Sequence, residues 1–509
     1  MYQDGDFDPL APLPLNSEVL IEDLDLATLL AAMAAGDKHL HQVAQAAVLA
    51  SPADASTILY RQQILNDLIA QPRVAAELYA IAVAAVDGEK KIWGYLRPSP
   101  SGLLHRALAV LQHFVGLLER LRRIADEQGP TFRSPGLVTF FQMLSRELDD
   151  EFFDAVDEHL RRLKAPKRTL TSAGLGQGNR GVDYVLRAAG DSKQSWRERI
   201  GLGRNSAYSF VVPARDEAGA RALAELTDRG INLVANALTQ STDHILSFFT
   251  MLRAELGFYV GCLNLHTRLA QRGQPICTPV PLPWSPPSLS YSGLYDPCLA
   301  LRLDQGHVAG NDGNADGRTL VMITGANSGG KSTFLRSIGL AHLMMHCGMF
   351  VAAQSFRAGV GDGLFTHFIR EEDQTMSGGR LDEDLRRMSE IADQVKPRSL
   401  ILCNESFSAT NEREGSEIAR QIIRALLEGD VRIFFVTHFF ELADSFRGAE
   451  GVLLLRAERR ADGERSFKLL PGDPLPTAYG EDLYRKVFPA AAERPRSGRA
   501  EPAQAAPPG

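Results

Sequence analysis

A strand, a glycine-rich loop and a helix follow one another between residues 319 and 348, and this stretch most constrains what the chain can fold into. The apolar run from Leu320 to Ile323 is typical of a buried parallel strand. The strand-loop-helix order is the context that a G-x-x-x-x-G-K-[ST] loop requires, which makes a chance match the weaker interpretation. The pattern is met at every fixed position by Gly325, Ala326, Asn327, Ser328, Gly329, Gly330, Lys331 and Ser332.

This loop has the chemistry of a phosphate-binding site. Glycines let backbone N–H groups turn toward an anion where a side chain would block the approach. A helix predicted from about Ser332 adds the partial positive charge of its N-terminus. Lys331 can reach the β and γ phosphates of a nucleotide, and the Ser332 hydroxyl can bind Mg²⁺. We therefore predict that residues Gly325 through Thr333 bind ATP or GTP together with Mg²⁺.

A second apolar strand in the same region ends in two polar residues, since Ser399–Cys403 is followed by Asn404 and Glu405. In phosphate-loop ATPases the first of these positions supports Mg²⁺ through water, and a Glu at the second polarises the attacking water. Asn404 stands where Asp is usual, and its amide oxygen accepts hydrogen bonds but carries no charge. We therefore expect Mg²⁺ to bind less tightly, or to depend more on Ser332 and the phosphates.

Two short segments carry weaker signals for the same chemistry. His438 follows a strand that ends at Thr437, where it can sense the γ-phosphate or can simply be a solvated side chain. Ser377, Gly378 and Gly379 precede a predicted helix, and alone they could form a flexible turn. Together with a phosphate-binding loop and a strand that ends in Glu, they resemble the signature loop of ABC-type ATPases. That resemblance implies a loop that reaches, in trans, the γ-phosphate held by a second subunit.

The spacing of apolar residues divides the chain into a mainly α-helical part and a later α/β part. The strongest helical patterns cover about 102–127 and about 216–270, and the second would reach roughly 80 Å if Gly230 does not interrupt it. After a cluster of prolines, strands and helices alternate, which indicates a mostly parallel sheet covered by helices. The expected segments are an irregular N-terminus (1–22), a helical core and lever domain (23–274), a proline-rich linker (275–290), an α/β domain (291–489) and a disordered tail (490–509).

Charge and composition restrict the possible partners. The net charge of −7 argues against a uniformly basic nucleic-acid binder but allows a local basic region. The stretch 165–205 is the most basic, and it is either a solvated loop or a region that contacts nucleic-acid phosphates. The five cysteines form no C-x-x-C pair, which suits a reducing compartment and indicates neither a zinc site nor a disulfide framework. Without a signal-peptide core or a run of 18 apolar residues, we expect a cytoplasmic protein that does not enter membranes.

Residues 319–443 resemble the ATPase domain of the MutS family of DNA mismatch-repair proteins. The similar stretches are Thr324–Arg336, Gly348–Gln354, Phe365–Thr366, Asn404–Glu405 with Thr410–Gly415, and Thr437–Leu442. Pro476–Gly480 is similar to the segment that closes this domain in the family. Upstream, Arg61–Leu68 and the long predicted helix resemble the start of the family's helical core and its lever, although these motifs are less specific.

The resemblance implies an ABC-type ATPase. Lys331 and Ser332 would bind phosphate and Mg²⁺, Glu405 would activate water and His438 would sense the γ-phosphate. Two chains would form a homodimer head to tail through their ATPase domains, with ATP at the interface and Ser377–Gly379 acting in trans. The nucleotide state would then move the long helices, which would open or close around DNA in repair or recombination.

Two departures from the family keep other functions open. Asn404 replaces the family's Asp, and the chain begins almost at the helical core, so we expect no N-terminal mismatch-reading domain. We also expect no nuclease-like extension after the ATPase domain. One alternative is an ATP-driven conformational switch that acts on a protein partner without DNA, which the acidic net charge favours. Another is an ATP-binding scaffold with little turnover, which Asn404 suggests.

Overall fold

The computed structural model describes residues 1–50, 54–92, 100–164, 170–179, 181–187, 217–303, 306–326, 328–370, 379–460 and 465–476. The α-helices are α1 (Ser17–Asp23), α2 (Leu26–Ala34), α3 (Lys38–Leu49), α4 (Ala55–Ala70), α5 (Pro72–Ile92), α6 (Pro100–Gln128), α7 (Pro135–Glu147), α8 (Asp150–Lys164), α9 (Glu217–Gln271), α10 (Pro297–Arg302), α11 (Lys331–His346), α12 (Arg380–Gln394), α13 (Glu412–Glu428) and α14 (Phe440–Ser445). The strands are β1 (Leu170–Leu175), β2 (Gly181–Arg187), β3 (Val280–Leu282), β4 (Leu289–Leu294), β5 (Asn311–Asn314), β6 (Leu320–Gly325), β7 (Ser355–Gly359), β8 (Gly363–Phe368), β9 (Ser399–Asn404), β10 (Arg432–Val436), β11 (Val452–Arg459) and β12 (Arg465–Pro471).

The chain divides into two compact units that do not follow a single cut in the sequence. The first unit comprises Met1–Ala11, Met33–Ala44 and Tyr60–Asn264, and the second comprises Pro12–Ala32, Gln45–Leu59 and Leu265–Gly509. The boundary between the units therefore falls within α9. Two N-terminal segments, Pro12–Ala32 and Gln45–Leu59, belong to the same unit as the C-terminal half of the chain.

Apolar residues at spacings of four and three build the core of the helical first unit. The helix predicted at 102–127 is α6, and the apolar side of this helix packs on α8 through Leu108, Val115 and Leu160. The rings of Phe114 on α6 and Phe249 on α9 lie 5.6 Å apart, which adds α9 to this core. In addition, β1 and β2 form an antiparallel pair.

A continuous helix of 55 residues, α9, occupies the stretch predicted to be helical from 216 to 270. Gly230 lies inside this helix and does not interrupt it. Apolar side chains in its second half are buried, among them Phe249, Leu252 and Tyr259. At 1.5 Å per residue such a helix is about 80 Å long, which is more than a single globular core requires.

A six-stranded sheet forms the centre of the second unit, with the strand order β12-β11-β6-β10-β9-β8. The strands from β11 to β8 pair in parallel, and β12 pairs antiparallel with β11. This arrangement confirms the mostly parallel sheet that alternating strands and helices predict. β6 is buried from Leu320 to Thr324 and apolar from Leu320 to Ile323, because a central parallel strand is covered on both faces. One face is covered by side chains of α12, α13 and α14, including Met388, Ile423 and Leu442.

The prediction of an irregular N-terminus up to residue 22 is wrong for Ser17–Asp23, which forms α1. The Asn16 side chain donates a hydrogen bond to the carbonyl oxygen of Leu364, 348 positions further along the chain. Leu24 is fully buried against the middle of α11, where a Cβ added to Gly339 would lie 2.8 Å from the Leu24 side chain. Local sequence could not predict this order, because the stabilising contacts come from residues far away in the sequence.

The stretch 275–290 is not a linker, as the sequence predicts, but part of a smaller mixed sheet with the order β3-β7-β4-β5. Its Trp284 is buried, and the Arg432 guanidinium lies 4.5 Å from the centre of the indole ring. Arg432 also donates to the Ser288 carbonyl oxygen at 3.1 Å. The prolines are compatible with this sheet because β3 is an edge strand, where a missing N–H is tolerated.

In the described part of the chain, Pro100–Thr131 and Ile231–Gln271 are long and apolar enough to cross a membrane, judged by length and composition alone. The pair Ala55–Ala70 and Pro72–Ile92 also passes together, with a bend of 104°. In the most apolar 18-residue segment of each helix, 39% is buried inside the protein for Pro100–Thr131 and 50% for Ile231–Gln271. The absence of a membrane span therefore stays a prediction from the sequence.

Candidate nucleotide-binding site

Parallel pairing brings the predicted site residues to one edge of the six-stranded sheet. β6, β10 and β9 are neighbours that run in the same direction, so their carboxyl ends at Gly325, Val436 and Asn404 lie side by side. The glycine-rich loop follows β6, Glu405 follows β9 and His438 comes soon after β10. The carboxyl edge of parallel strands is where open α/β sheets bind their ligands.

Glycines fix the shape of the loop after β6. Gly325 has a φ of 110°, and a Cβ there would lie 2.8 Å from the backbone nitrogen of Ala457 on β11. Gly330 is the N-cap of α11 with a φ of 88°, and α11 begins at Lys331, one residue before the predicted start. The remaining predicted loop residues are Ala326, Ser328 and Gly329 in the turn, Ser332 and Thr333 in the first turn of α11, and Asn327, which lies outside the described residues.

The Lys331 side chain is buried, and its ammonium group remains inside the loop. Nζ donates to the carbonyl oxygens of Gly325 at 3.0 Å and Ala326 at 3.2 Å. Burial lowers the pKa of Lys331, the carboxylate of Glu405 raises it, and Arg465 lowers it further. Glu405 is thus close enough to act on Lys331 electrostatically. A desolvated cation beside glycine N–H groups is a suitable place for a phosphate, whose charge would offset the cost of burial.

The two side chains that the sequence assigns to Mg²⁺ are in direct contact. The Ser332 hydroxyl donates to the side-chain oxygen of Asn404 at 2.9 Å. Asn404 is buried at the end of β9. In nucleotide sites Mg²⁺ takes few protein ligands and completes its shell with water and phosphate oxygens. A hydroxyl with an amide oxygen beside it fits that requirement.

Glu405 lies in a strained turn that faces the loop. Glu405 has a φ of 56° and Phe407 a φ of 64°. The left-handed region costs a non-glycine residue on the order of 1–3 kcal/mol. The Glu405 N–H donates to the Val436 carbonyl oxygen at 2.9 Å, which ties the turn to β10. Strain that the surrounding structure maintains at an acidic residue is typical of functional positions.

A cavity of about 550 Å³ lies beside the loop and is lined by both Lys331 and Glu405. This volume is within the range of small-molecule sites. Its other walls include Tyr295, His307 and Phe467, which the sequence pattern does not single out. No local motif marks them, because they come from segments that are far apart in the chain and meet only in the fold.

Asn311 on β5 joins two of these distant segments. Its Oδ1 accepts from the Leu469 N–H at 2.8 Å, and its Nδ2 donates to the Phe467 carbonyl oxygen at 3.3 Å. The pair holds β12, and with it Phe467, at the wall of the cavity. Asn311 and Asp312 carry no recognisable spacing signal, so sequence reasoning misses this part of the site.

An ion pair fixes the opposite wall of the cavity to α11. Asp296 caps α10 by accepting from the N–H groups of Cys298 at 2.9 Å and Leu299 at 3.0 Å. Its other oxygen accepts from Nε of Arg336 at 2.5 Å. Burial raises the pKa of Asp296, and the Arg336 guanidinium lowers it. Arg336 therefore positions the cavity wall relative to the loop.

The predicted residues outside the loop do not all meet at this cavity. His438 is exposed, its ring lies 4.7 Å from that of Phe439, and it is not one of the described residues that line the cavity. Ser377 and Gly378 lie outside the described residues. Gly379 is the N-cap of α12, and a Cβ added there would meet nothing within 4 Å.

Comparisons with known proteins match both parts of the chain. The MutS2 N-terminal domain family matches residues 53–272, and the MutS domain V family matches residues 321–468. Endonuclease MutS2 of Thermus thermophilus is 32% identical over 158 residues, which are 30% of this chain and 21% of that protein. The DNA mismatch repair protein MutS of Thermotoga petrophila is 36% identical over 129 residues, covering 25% of this chain and 16% of the relative.

A vertebrate relative matches over a longer segment. The DNA mismatch repair protein Msh6 of Gallus gallus is 31% identical over 193 residues, which are 35% of this chain and 14% of the relative. The matches thus span between 14% and 21% of the length of these three relatives. Since family matches cover both the helical and the α/β part of the sequence, and since MutS2 and MutS proteins are among its relatives, this chain belongs to the MutS family.

Proposed function

We propose that this chain is a Mg²⁺-dependent ATPase of the ABC type. The observation that carries the proposal is the convergence of Lys331, Ser332, Asn404 and Glu405 at the carboxyl edge of one parallel sheet. The glycine-rich loop would bind the phosphates through backbone N–H groups, and the cavity beside it would hold the nucleoside. Bound Mg²⁺ would neutralise phosphate charge and would be held by Ser332, with Asn404 acting through water.

Each remaining residue has a role that follows from its position. Lys331 would pair with the β and γ phosphates in place of the carbonyl oxygens that it contacts in the loop. Glu405 would accept a proton from the attacking water, because a carboxylate that faces the loop can reach a water in line with the γ-phosphate. His438 would sense the γ-phosphate from the end of β10, which requires its exposed ring to turn toward the nucleotide.

We propose that the active assembly is a homodimer with composite sites. The loop Ser377–Gly379 precedes α12, and the open space at Gly379 would accept the γ-phosphate of a second chain at a helix N-terminus. ATP would then hold two chains together, and hydrolysis would release them. α9 is long enough to carry such a movement over about 80 Å.

The proposed substrate of this movement is DNA, in mismatch-repair-related DNA repair or recombination. Relatives named DNA mismatch repair protein or endonuclease support this choice. The basic stretch 165–205 would contact phosphates, although most of it lies outside the described residues. The long helices would close around DNA as a clamp, which does not require mismatch recognition. The proposed location is the cytoplasm.

A second candidate is an ATP-driven switch that acts on a protein partner, which the net charge of −7 favours. Binding assays with duplex, mismatched, branched and single-stranded DNA, with and without ATP, separate the two candidates. A steep salt dependence supports DNA, because each phosphate contact releases counterions. If none of these DNAs binds at low salt in either nucleotide state, the DNA clamp is wrong and the partner is a protein.

The exchange Asn404→Asp should tighten Mg²⁺ binding to the ATP complex by about tenfold. A tenfold change in affinity corresponds to about 1.4 kcal/mol. Two opposite unit charges 4 Å apart attract each other by ~4 kcal/mol at an effective dielectric constant of 20, and a carboxylate that acts through water gains only a fraction of this energy. The measurement is ATP turnover against Mg²⁺ concentration. Asn314→Asp, the same chemical change at an exposed position on β5, is the control and should leave the curve unchanged. An identical Mg²⁺ dependence in Asn404→Asp would place Asn404 away from the metal.

The exchange Glu405→Gln should bind ATP and trap a dimer, because it keeps the shape of the site and removes the base. Light scattering with Mg²⁺-ATP should report twice the monomer mass, and adding Ser377→Arg should restore the monomer because it places bulk and charge at the shared interface. Glu428→Gln, at an exposed position on α13, is the matched control and should not trap a dimer. A mass that does not respond to ATP or to Ser377→Arg would rule out the composite site.

Replacing Arg197, Arg199 and Arg204 with Gln should weaken DNA binding to the same extent for every DNA sequence. The slope of log affinity against log salt should become shallower by about 0.9 for each DNA phosphate that the variant no longer neutralises. The control replaces three exposed arginines of α7 and α8 with Gln, which changes the net charge by the same amount: Arg146, Arg161 and Arg162. Equal affinities and slopes in the two triple variants would mean that the DNA path lies elsewhere.

A further inference from the structure

A buried histidine connects the turn that holds Glu405 to α12. His367 lies on β8 and is completely buried. Its Nδ1 lies 2.7 Å from the Ser406 hydroxyl oxygen, and its Nε2 lies 3.0 Å from the carbonyl oxygen of Asp384 on α12. The ring also stacks on Phe407, with 5.5 Å between ring centres. The residues on both sides of Ser406 are the two strained positions of the turn.

The two partners of the ring determine the direction of its hydrogen bonds. The Asp384 carbonyl oxygen can only accept, so Nε2 carries the proton in this bond. Burial lowers the pKa of His367 to about 4, so the ring is neutral at pH 7 and Nδ1 accepts. The single proton of the Ser406 hydroxyl is therefore directed to Nδ1 in the shorter contact of 2.7 Å, and the His367 carbonyl oxygen at 3.0 Å shares the same proton. His367 thus relays one hydrogen bond from the turn to the helix.

The same helix contacts the turn a second time. The Asp384 carboxylate lies near the Phe407 backbone N–H: burial raises the pKa of this carboxyl group, and Arg387 and then the Phe407 N–H lower it. Asp384 is thus bonded to the turn through its carbonyl oxygen, by way of the ring, and its carboxylate lies close to the same turn. It lies in the second turn of α12, the helix that begins directly after the loop Ser377–Gly379.

We infer that His367 is a positioning residue for ATP hydrolysis: it ties Ser406, and through it the backbone of Glu405, to α12. The inference rests on the proposed ATPase function and adds to it the side chain that holds the turn of the proposed base in place. Neither His367 nor Ser406 is one of the described residues that line the nucleotide cavity, so ATP affinity does not depend on them directly.

The test uses the full chain with Mg²⁺-ATP and compares kcat with KM. Ser406→Ala removes the donor and keeps the ring, whereas His367→Gln removes the ring acceptor. Each exchange should lower kcat tenfold to a hundredfold, as a small misplacement of a catalytic group does, and should leave KM and the calorimetric Kd for ATP within about twofold. Because both act through one hydrogen bond, the double variant should be no slower than the slower single variant.

The matched control is His342→Gln on α11. His342 is also buried, bonds to a backbone carbonyl oxygen through Nδ1 and packs edge-on against Phe356, away from Glu405. It should lose a similar amount of thermal stability and keep kcat within about twofold of the unsubstituted chain. If His367→Gln does not fold, the kcat of Ser406→Ala compared with the kcat of this control tests the inference.

Three results would overturn the inference. The first is a kcat in Ser406→Ala equal to that of the unsubstituted chain. The second is a double variant in which the factors by which the two single exchanges lower kcat multiply. The third is a loss of kcat in His342→Gln as large as that in His367→Gln. No turnover in the unsubstituted chain would instead overturn the proposed ATPase function, and this inference with it. Normal turnover in the unsubstituted chain and in all variants would overturn the inference alone.

Discussion

The parallel pairing of β6 with β10 and of β10 with β9 is the constraint on which the rest of the site depends. It brings the ends of three strands together, so that a lysine and a serine after one strand meet an amide and a carboxylate at the end of another. The hydrogen bond from Ser332 to Asn404, 72 positions apart in the sequence, is the direct product of this alignment. Without the shared direction of the strands, the same residues would lie at opposite edges of the sheet.

The shape of the loop could be predicted from the sequence because it depends on local features. The glycines, the lysine and the helix start are adjacent in the chain, and Gly325 and Gly330 have the positive φ that glycine accommodates best. The mostly parallel pairing of the buried strands was equally predictable, since apolar runs separated by helices favour a parallel sheet, whereas the order of the strands in the sheet was not predicted. α9 follows from its regular spacing, and the isolated Gly230 costs it little.

The remaining parts of the fold and site depend on contacts that no local pattern records. Asn311 and Phe467 build one cavity wall from opposite ends of the α/β region, and Leu24 packs into α11 from the N-terminus. The proline-rich stretch is part of a sheet, and its Trp284 is covered by Arg432, which lies 148 positions further along the chain. His367 and Ser406 likewise look unremarkable in the sequence, and only the pairing of β8 with β9 makes them neighbours.

Calorimetry of Mg²⁺-ATP binding to Lys331→Ala is the decisive measurement for the proposal that the loop after β6 binds the phosphates of ATP. We expect the affinity for ATP to fall at least tenfold, because a hydrogen bond to a charged group contributes roughly 1.5–3 kcal/mol, while the chain remains folded. Lys396→Ala, an exposed lysine after α12, should bind ATP like the unsubstituted chain. Unchanged ATP affinity in Lys331→Ala would contradict the account.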